Sequence, residues 1–246
     1  MKIDIFEVCA GSVQDCINAE LGGADRVELN SALYLGGLTP SLAMLNLVKE
    51  KTSLKVICMN RPRAAGFCYD DVEIETMFKD AEILLENGAD GISFGFLNPD
   101  ATINITHTKK MVELIHRYRK EAVFHRAFDC VSDPYVAIQQ LIDCGVDRIL
   151  TSGLQPTALQ GCELLNNLQF KFGERVEILA GSGIHVDNIE TLRERTGIHQ
   201  FHGSCKIWKK DPTTTLGNIS YAYHEKDDYD CVSTTNVWQI VQLLKR

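Results

Sequence analysis

Several short β-branched runs in this chain end on residues that can move protons or hold an anion. They are Glu7-Val8-Cys9, Val27-Glu28-Leu29-Asn30-Ser31, Met59-Asn60-Arg61-Pro62-Arg63, His125-Arg126-Ala127-Phe128-Asp129, Thr151-Ser152-Gly153, Gly181-Ser182-Gly183 and His202-Gly203-Ser204. Glu7, Glu28 and His125 are candidate general acids or bases, with Asp129 orienting His125 or Arg126. Arg61, Arg63 and Arg126 offer guanidinium forks that suit a carboxylate or phosphate. Ser152, His202 and the small residues Gly181, Ser182, Gly183, Gly203 and Ser204 let backbone N–H groups approach an anion closely, helped by a helix expected to begin near His185. Together these residues describe an enzyme of unassigned reaction acting on a small anionic or phosphorylated metabolite. No lysine is expected inside the mouth, because Lys55 begins a strand and Lys206 lies past the last one, so Schiff-base chemistry is disfavoured. His125 and His202 are not expected to find the further ligands a hydrolytic zinc centre needs.

Such residues share a site only if their strands lie side by side. Strand-like runs recur at Lys2–Val8, Asp25–Leu29, Lys55–Met59, Asp90–Phe94, Ala122–His125, Asp147–Thr151, Val176–Ala180 and Gln200–His202. Their spacing of roughly 20–35 residues fits a strand plus a returning helix. Gly23-Ala24-Asp25, Gly88-Ala89-Asp90 and Gly145-Val146-Asp147 repeat one junction, glycine ending a helix and the next residues entering the sheet. Over Asp71–Asn87, Ile74, Met77, Phe78, Ala81, Leu84 and Leu85 fall on one helical stripe. Thr39-Pro40, Asp133-Pro134 and Gln155-Pro156 mark helix starts, and Thr235–Lys245 supplies a closing helix. The expected fold is α/β, a single-domain (β/α)8 TIM barrel over residues 1–246, with a long irregular loop at 206–233 acting as a lid or interface. Functional groups then belong at the C-terminal ends of the strands.

Side chains alternate along a strand, so Val27 and Leu29 facing the helices turn Arg26, Glu28 and Asn30 into the barrel. Glu7, Cys9, Gln200 and His202 follow by the same rule. Burying that much charge requires pairing. Arg26 and Arg148, low in their strands, read best as an internal ion-pair lattice. Arg61, Arg63, His125 and Asp129, at the rim, read as a ligand site.

The 246 residues are 45% hydrophobic and 24% charged, which suits one large globular domain. A net charge of −8 argues against nucleic acid as a partner. Nine scattered cysteines without a Cys-x-x-Cys pair suggest reduced, buried thiols rather than disulfides or structural zinc. With no long apolar run and an acidic N-terminal strand, the expected location is the cytoplasm, with no membrane partner.

The motifs Glu7-Val8-Cys9, Gly22-Gly23-Ala24-Asp25-Arg26-Val27-Glu28-Leu29, Gly36-Gly37-Leu38-Thr39-Pro40-Ser41, Arg61-Pro62-Arg63, His125-Arg126-Ala127-Phe128-Asp129, Leu150-Thr151-Ser152-Gly153 and Phe201-His202-Gly203-Ser204 together resemble the CutC family. The resemblance runs in order from the first strand to the last. It implies a cytoplasmic barrel, often a homo-oligomer, associated with copper homeostasis and binding Cu(I). Cys9 matches a family cysteine and is the implied metal ligand. Asn30 stands where the family commonly has a second cysteine, leaving Cys58 and Cys205 as substitute sulfurs. Gly181-Ser182-Gly183 replaces a run of three glycines, and Ala64-Ala65 replaces a glycine pair, which implies a stiffer loop. Copper handling, an unassigned enzyme and a scaffold without chemistry all stay open.

Overall fold

Gly23, Gly88 and Gly145 have left-handed φ values of 86°, 92° and 84°, which glycine adopts without steric cost. After each of them an aspartate closes a ring with the preceding strand. Asp25 donates its N–H to the Phe6 carbonyl and accepts the Phe6 N–H on its carboxylate. Asp90 does the same with Val56, and Asp147 with Ala122. The repeated junction therefore sets strand stagger as well as ending a helix.

The computed structural model describes residues 3–224 and 228–245. Lys2 of the expected first strand and residues 225–227 of the expected loop lie outside the described residues. The strands are β1 (Ile5–Ala10), β2 (Arg26–Leu29), β3 (Lys55–Met59), β4 (Gly91–Phe94), β5 (Glu121–Phe124), β6 (Arg148–Thr151), β7 (Glu177–Gly181) and β8 (Gln200–Gly203). They form a closed parallel barrel in chain order, β8 pairing with β1. Around it run α1 (Val13–Leu21), α2 (Leu42–Lys51), α3 (Asp71–Glu86), α4 (Ile105–Arg117), α5 (Pro134–Asp143), α6 (Cys162–Phe172), α7 (Ile189–Thr196) and α8 (Thr234–Leu244). The fold is the expected (β/α)8 barrel.

Local signals explain most helix starts. In α3, Asp70 and Glu73 form a reciprocal capping box. In α5, Pro134 takes the first position while Asp133 accepts from Tyr135 and Val136 N–H. Pro40 instead precedes the cap of α2, which is Ser41. Pro156 does not open a helix; α6 starts at Cys162. The Pro156 carbonyl accepts from the Ser182 hydroxyl, and Ala158 N–H donates to the Ser182 carbonyl, so this stretch is tied to the turn after β7. Helix α7 starts at Ile189 rather than near His185, because Asn188 folds back onto the Gly183 carbonyl and the His185 N–H. The glycine turn is thereby separated from the helix terminus that was expected to assist it.

Outward residues such as Phe6, Val8, Val27, Leu29, Ile92, Phe94, Phe124 and Phe201 join the helices in one apolar core. The low arginines pair as expected. Arg26 bonds Glu7 and lies 2.6 Å from Gln200 Oε1. Arg148 lies 2.7 Å from Glu121 and 3.2 Å from Glu177. All nine cysteines are free, five of them buried.

The segment after β8 is not irregular. Lys206–Lys209 (β9) pairs antiparallel with Tyr229–Val232 (β12), and Thr215–Leu216 (β10) pairs with Ile219–Ser220 (β11). Asp15 and Asn18 of α1 bind the Val232 backbone at 2.8 and 2.9 Å and anchor this ribbon. Tyr223 packs on Tyr34 with ring centroids 5.1 Å apart. Among the described residues, no helix is long and apolar enough to cross a membrane.

Candidate functional site at the barrel mouth

Strand register creates the central cluster. Glu7 of β1 stands beside Arg26 of β2 and His202 of β8, and Cys9 stands beside Glu28. His202 Nδ1 lies 2.8 Å from Glu7 Oε1, and its Nε2 lies 3.9 Å from Glu28 Oε2. Asn30 Nδ2 donates to Glu28 Oε2 at 3.1 Å and to Cys9 Sγ at 3.6 Å. Below Asn30, a Cβ on Gly37 would come within 2.3 Å of Asn30 Oδ1, and Gly37 has φ of 84°, so this position needs glycine. Glu7, Glu28, Asn30 and His202 are all buried.

Burial works against ionising Glu7, but Arg26 and the His202 bond outweigh it and hold the carboxyl well below the ordinary range. Burial likewise disfavours a charged His202, yet the bonds to Cys9 and Glu7 and the Glu28 charge carry its pKa well above the usual value. His202 is thus an imidazolium at neutral pH. The Cys9 thiol is pushed up by burial, partly offset by His202. Cys9, Glu28 and His202 each offer a ligand atom, all within 4.8 Å of one another, and this cluster can hold a metal ion. The expectation that His202 lacks ligand neighbours is corrected here: the missing partners are a thiol and a glutamate on neighbouring strands.

A cavity of about 450 Å³ opens over the cluster. Its lining includes Cys9, Glu28, Asn30, Met59, Arg61, Phe67, His125, Arg126, Ser182, Gly183, His202, Gly203, Ser204, Lys206 and Asp230. Twelve of these come from the motifs singled out in the sequence, and their strand ends converge on one rim. Glu7 lies beneath, reaching the cavity through His202.

Other expected members are turned elsewhere. Arg63 bonds Glu73 and the Ala64, Gly66 and Cys68 carbonyls, and its guanidinium stacks on Tyr69, outside the cavity. Asp129 does not reach His125. It accepts from Thr151 Oγ1 (2.6 Å), from Ser152 N–H and Oγ and from Leu154 N–H, while Arg126 Nε bonds it at 2.7 Å. Asp129 therefore orients Arg126 and secures the turn after β6, and Ser152 is consumed in the same knot. Gly181 is outside the lining, and a Cβ there would meet Leu150 Cδ1 at 2.6 Å and His202 Cβ at 3.5 Å. Cys58 and Cys205 belong to the outer apolar core and do not join Cys9.

Arg61 lines the cavity but also braces it, donating Nη1 to the Leu35 and Gly37 carbonyls at 3.1 Å and Nη2 to Ala65. Its Nε is buried without a partner among the described residues. His125 caps a short 3-10 turn (Arg126–Cys130) by accepting Ala127 N–H on Nδ1. Its proton is therefore on Nε2. Burial, then the Arg61 charge, lowers its pKa to about 3, so it stays neutral at physiological pH.

Lys206 and Asp230 are cavity residues that sequence reasoning left out. They face each other at 3.7 Å where the ribbon crosses the rim, Lys206 also lying over the Trp208 ring. The exclusion of a lysine from the mouth is corrected by this ribbon. Its signal was present in Leu216-Gly217-Asn218-Ile219, a two-residue hairpin turn between β-formers.

The model of the CutC family matches residues 4–207. The chain belongs to the CutC family. A CutC family protein of Treponema denticola is 40% identical over 248 residues, covering 99% of this chain and 100% of the relative. A human relative named copper homeostasis protein cutC homolog is 39% identical over 202 residues, 82% of this chain and 73% of that one. A CutC crystal structure from Streptococcus agalactiae superposes with a TM-score of 0.76 at 28% identity, covering 82% of this chain and 99% of that one. The CutC family match ends near Lys206, where β9 begins, so most of the ribbon lies beyond it.

Proposed function

We propose that the barrel mouth is the active site of an enzyme that acts on a small anionic metabolite. The carrying observation is a reversal of sign. In a chain of net charge −8, Arg61, Arg126, Lys206 and the protonated His202 line the cavity with two acids, Glu28 and Asp230, while Glu7 and Asp129, the partners of His202 and Arg126, lie behind the lining. Such a focus of positive potential in a concave, partly desolvated site favours an anion. Among the described residues, the backbone N–H groups of Gly183, Ile184 and Ser204 have no protein acceptor and lie at the same rim. They supply the close donors that the small-residue turns suggest. Arg126, held by Asp129 and Ser152, is the oriented cation. Glu7, His202 and Glu28 form the reacting floor, with neutral His125 as a hydrogen-bond donor on the opposite side.

Inorganic phosphate titrated into the metal-free protein should raise its melting temperature with saturation, through mass action on the folded state. The rise should vanish in Arg126→Gln, compared with that variant's own phosphate-free value. An unchanged melting temperature in the wild type, up to tens of millimolar phosphate by about the usual screening range, sinks the proposal.

Copper handling is the second reading, favoured by Cys9 and by the human relative's name. Cu(I) is soft and prefers thiolate and thioether donors. The cluster offers one sulfur with an imidazole and a carboxylate, and Asn30 presents an amide N–H to Cys9. This donor set does not fit Cu(I) well.

A further inference from the structure

We propose that Cys9, Glu28 and His202 form a site for a borderline divalent cation such as Zn2+, with one coordination position left open toward the cavity. The inference deepens the reading of the mouth as an active site, because the open position lies where the anion would be held.

Donor chemistry comes first. Binding releases the His202 Nε2 and Cys9 protons to solvent, and the resulting thiolate, imidazole and carboxylate are a mixed set that suits Zn2+ and its neighbours. Three protein ligands plus an open position distinguish reactive sites from closed structural ones. Distance comes next. Metal–ligand bonds of ~2.0–2.3 Å in a tetrahedron separate donors by ~3.3–3.8 Å. Glu28 Oε2 already lies 3.9 Å from His202 Nε2 and 4.0 Å from Cys9 Sγ, and no pair in the cluster exceeds 4.8 Å. Contraction by about an ångström, well within side-chain rotation, completes the geometry.

The surroundings supply independent support. His202 Nδ1 is engaged by Glu7, which turns Nε2 toward Glu28. A carboxylate on the far nitrogen is the usual way a metal-binding histidine is oriented. Asn30 Nδ2 contacts both remaining ligands at once. The residue at the family's second cysteine position therefore acts as an outer support for the ligands rather than as a sulfur donor. Each ligand sits on a strand end of the closed barrel, β1, β2 or β8, so their spacing is fixed by register rather than by a loop.

Co2+ is a suitable probe because thiolate ligation gives it a charge-transfer absorption that carboxylate and imidazole do not. Full-length protein is dialysed against a chelator and titrated with Co2+ in phosphate-free buffer. The expected result is one Co2+ per chain with the thiolate band, released by Zn2+. Cys9→Ser should lose the band, and His202→Gln and Glu28→Gln should lose stoichiometric binding. Glu7→Gln should keep all three ligands but weaken binding by about 10- to 100-fold. Cys68→Ser, at an exposed cysteine, should keep the wild-type band, and circular dichroism confirms that each variant is folded. Absence of stoichiometric Co2+ binding in the wild type, or a band that survives Cys9→Ser, overturns the proposal. So does a wild type that takes Cu(I) from a competing chelator through Cys9 while refusing Co2+. Arg126→Gln separates the two ideas: it should abolish the phosphate response and leave the Co2+ titration unchanged. A protein that responds to phosphate but binds no Co2+ keeps the anion site and loses this one.

Discussion

On β8, β1 and β2 the inward side chains are Gln200, His202, Glu7, Cys9, Arg26 and Glu28, whereas across the barrel, apart from Arg148 and its glutamates, Ile57, Val123, Leu150 and Leu179 fill the same space. Both walls are buried, yet they are built under different constraints. An apolar side chain gains from any neighbour of the right volume. A buried charge needs a particular partner at a particular distance. The polar wall therefore depends on register, and register is what the three aspartate junctions and ring closure supply. Its upper members, Cys9, Glu28 and His202, face a cavity on one side and their polar partners on the other.

If the walls differ in this way, they should fail differently. Glu7→Ala leaves Arg26 buried and removes the partner of His202. Loss of one member of a buried pair costs about 3–5 kcal/mol, measured by urea denaturation at neutral pH. Replacing both partners, Glu7→Leu with Arg26→Met, should recover the part of that loss due to the orphaned Arg26, since a well-packed apolar pair substitutes for a buried ion pair at little net cost, and leave the part due to His202. A cost near zero for Glu7→Ala would mean that pairing does not hold the polar wall.

Leu179→Ala is the corresponding test of the apolar wall. Leu179 is fully buried beside Leu150 in register. A cavity there should cost roughly 2–5 kcal/mol, while the melting-temperature response to phosphate is retained. A lost response would show that the apolar wall also shapes the ligand site.

The histidines on the two sides should respond to pH in opposite ways. His125 is buried neutral, with its pKa lowered to about 3 from an ordinary value of 6.5. The unfolded chain binds this proton first, so the contribution is present above pH 6.5 and is lost as pH falls toward 3. His202 is raised, so its contribution is present below pH 6.5 and is lost as pH rises through its folded value. Between pH 7 and 5 the His125 contribution dominates, and stability should fall by on the order of 2 kcal/mol. His125→Asn should flatten that part of the profile when denaturation midpoints are compared across pH.

The barrel was legible because its signals are local: glycine caps, helical stripes and period-2 strands. The inward faces were legible from alternation, which placed Glu7, Cys9, Arg26, Glu28 and His202 inside. The identity of neighbours was harder. Glu7 and His202 are 195 positions apart, and only ring closure with its stagger makes them partners. Arg63 looked like a rim ligand because its site depends on Glu73, the capping residue of α3, reaching back to it. Lys206 and Asp230 stayed hidden because an antiparallel ribbon brings them together across the mouth.

The smallest expected effect concerns the rim, where this chain replaces glycines of the family pattern. Ala65 has φ of 70° and Ser182 has φ of 78°, both left-handed. A non-glycine residue there costs about 1–2 kcal/mol in steric strain, and glycine would add back about 0.5–1 kcal/mol of unfolded-state entropy. Ala65→Gly should therefore stabilise the protein by about 0.5–1 kcal/mol, read as a shift of the urea midpoint. Ser182→Gly should gain less, because it also removes the hydroxyl bond to the Pro156 carbonyl at 2.7 Å. The Ala65 carbonyl accepts Arg61 Nη2, so its strained conformation also sets the height of that guanidinium over the cavity. If Ala65→Gly stabilises the fold but weakens the phosphate response, the strain serves to position Arg61. If both properties improve together, the alanine is simply a tolerated cost at the edge of the site.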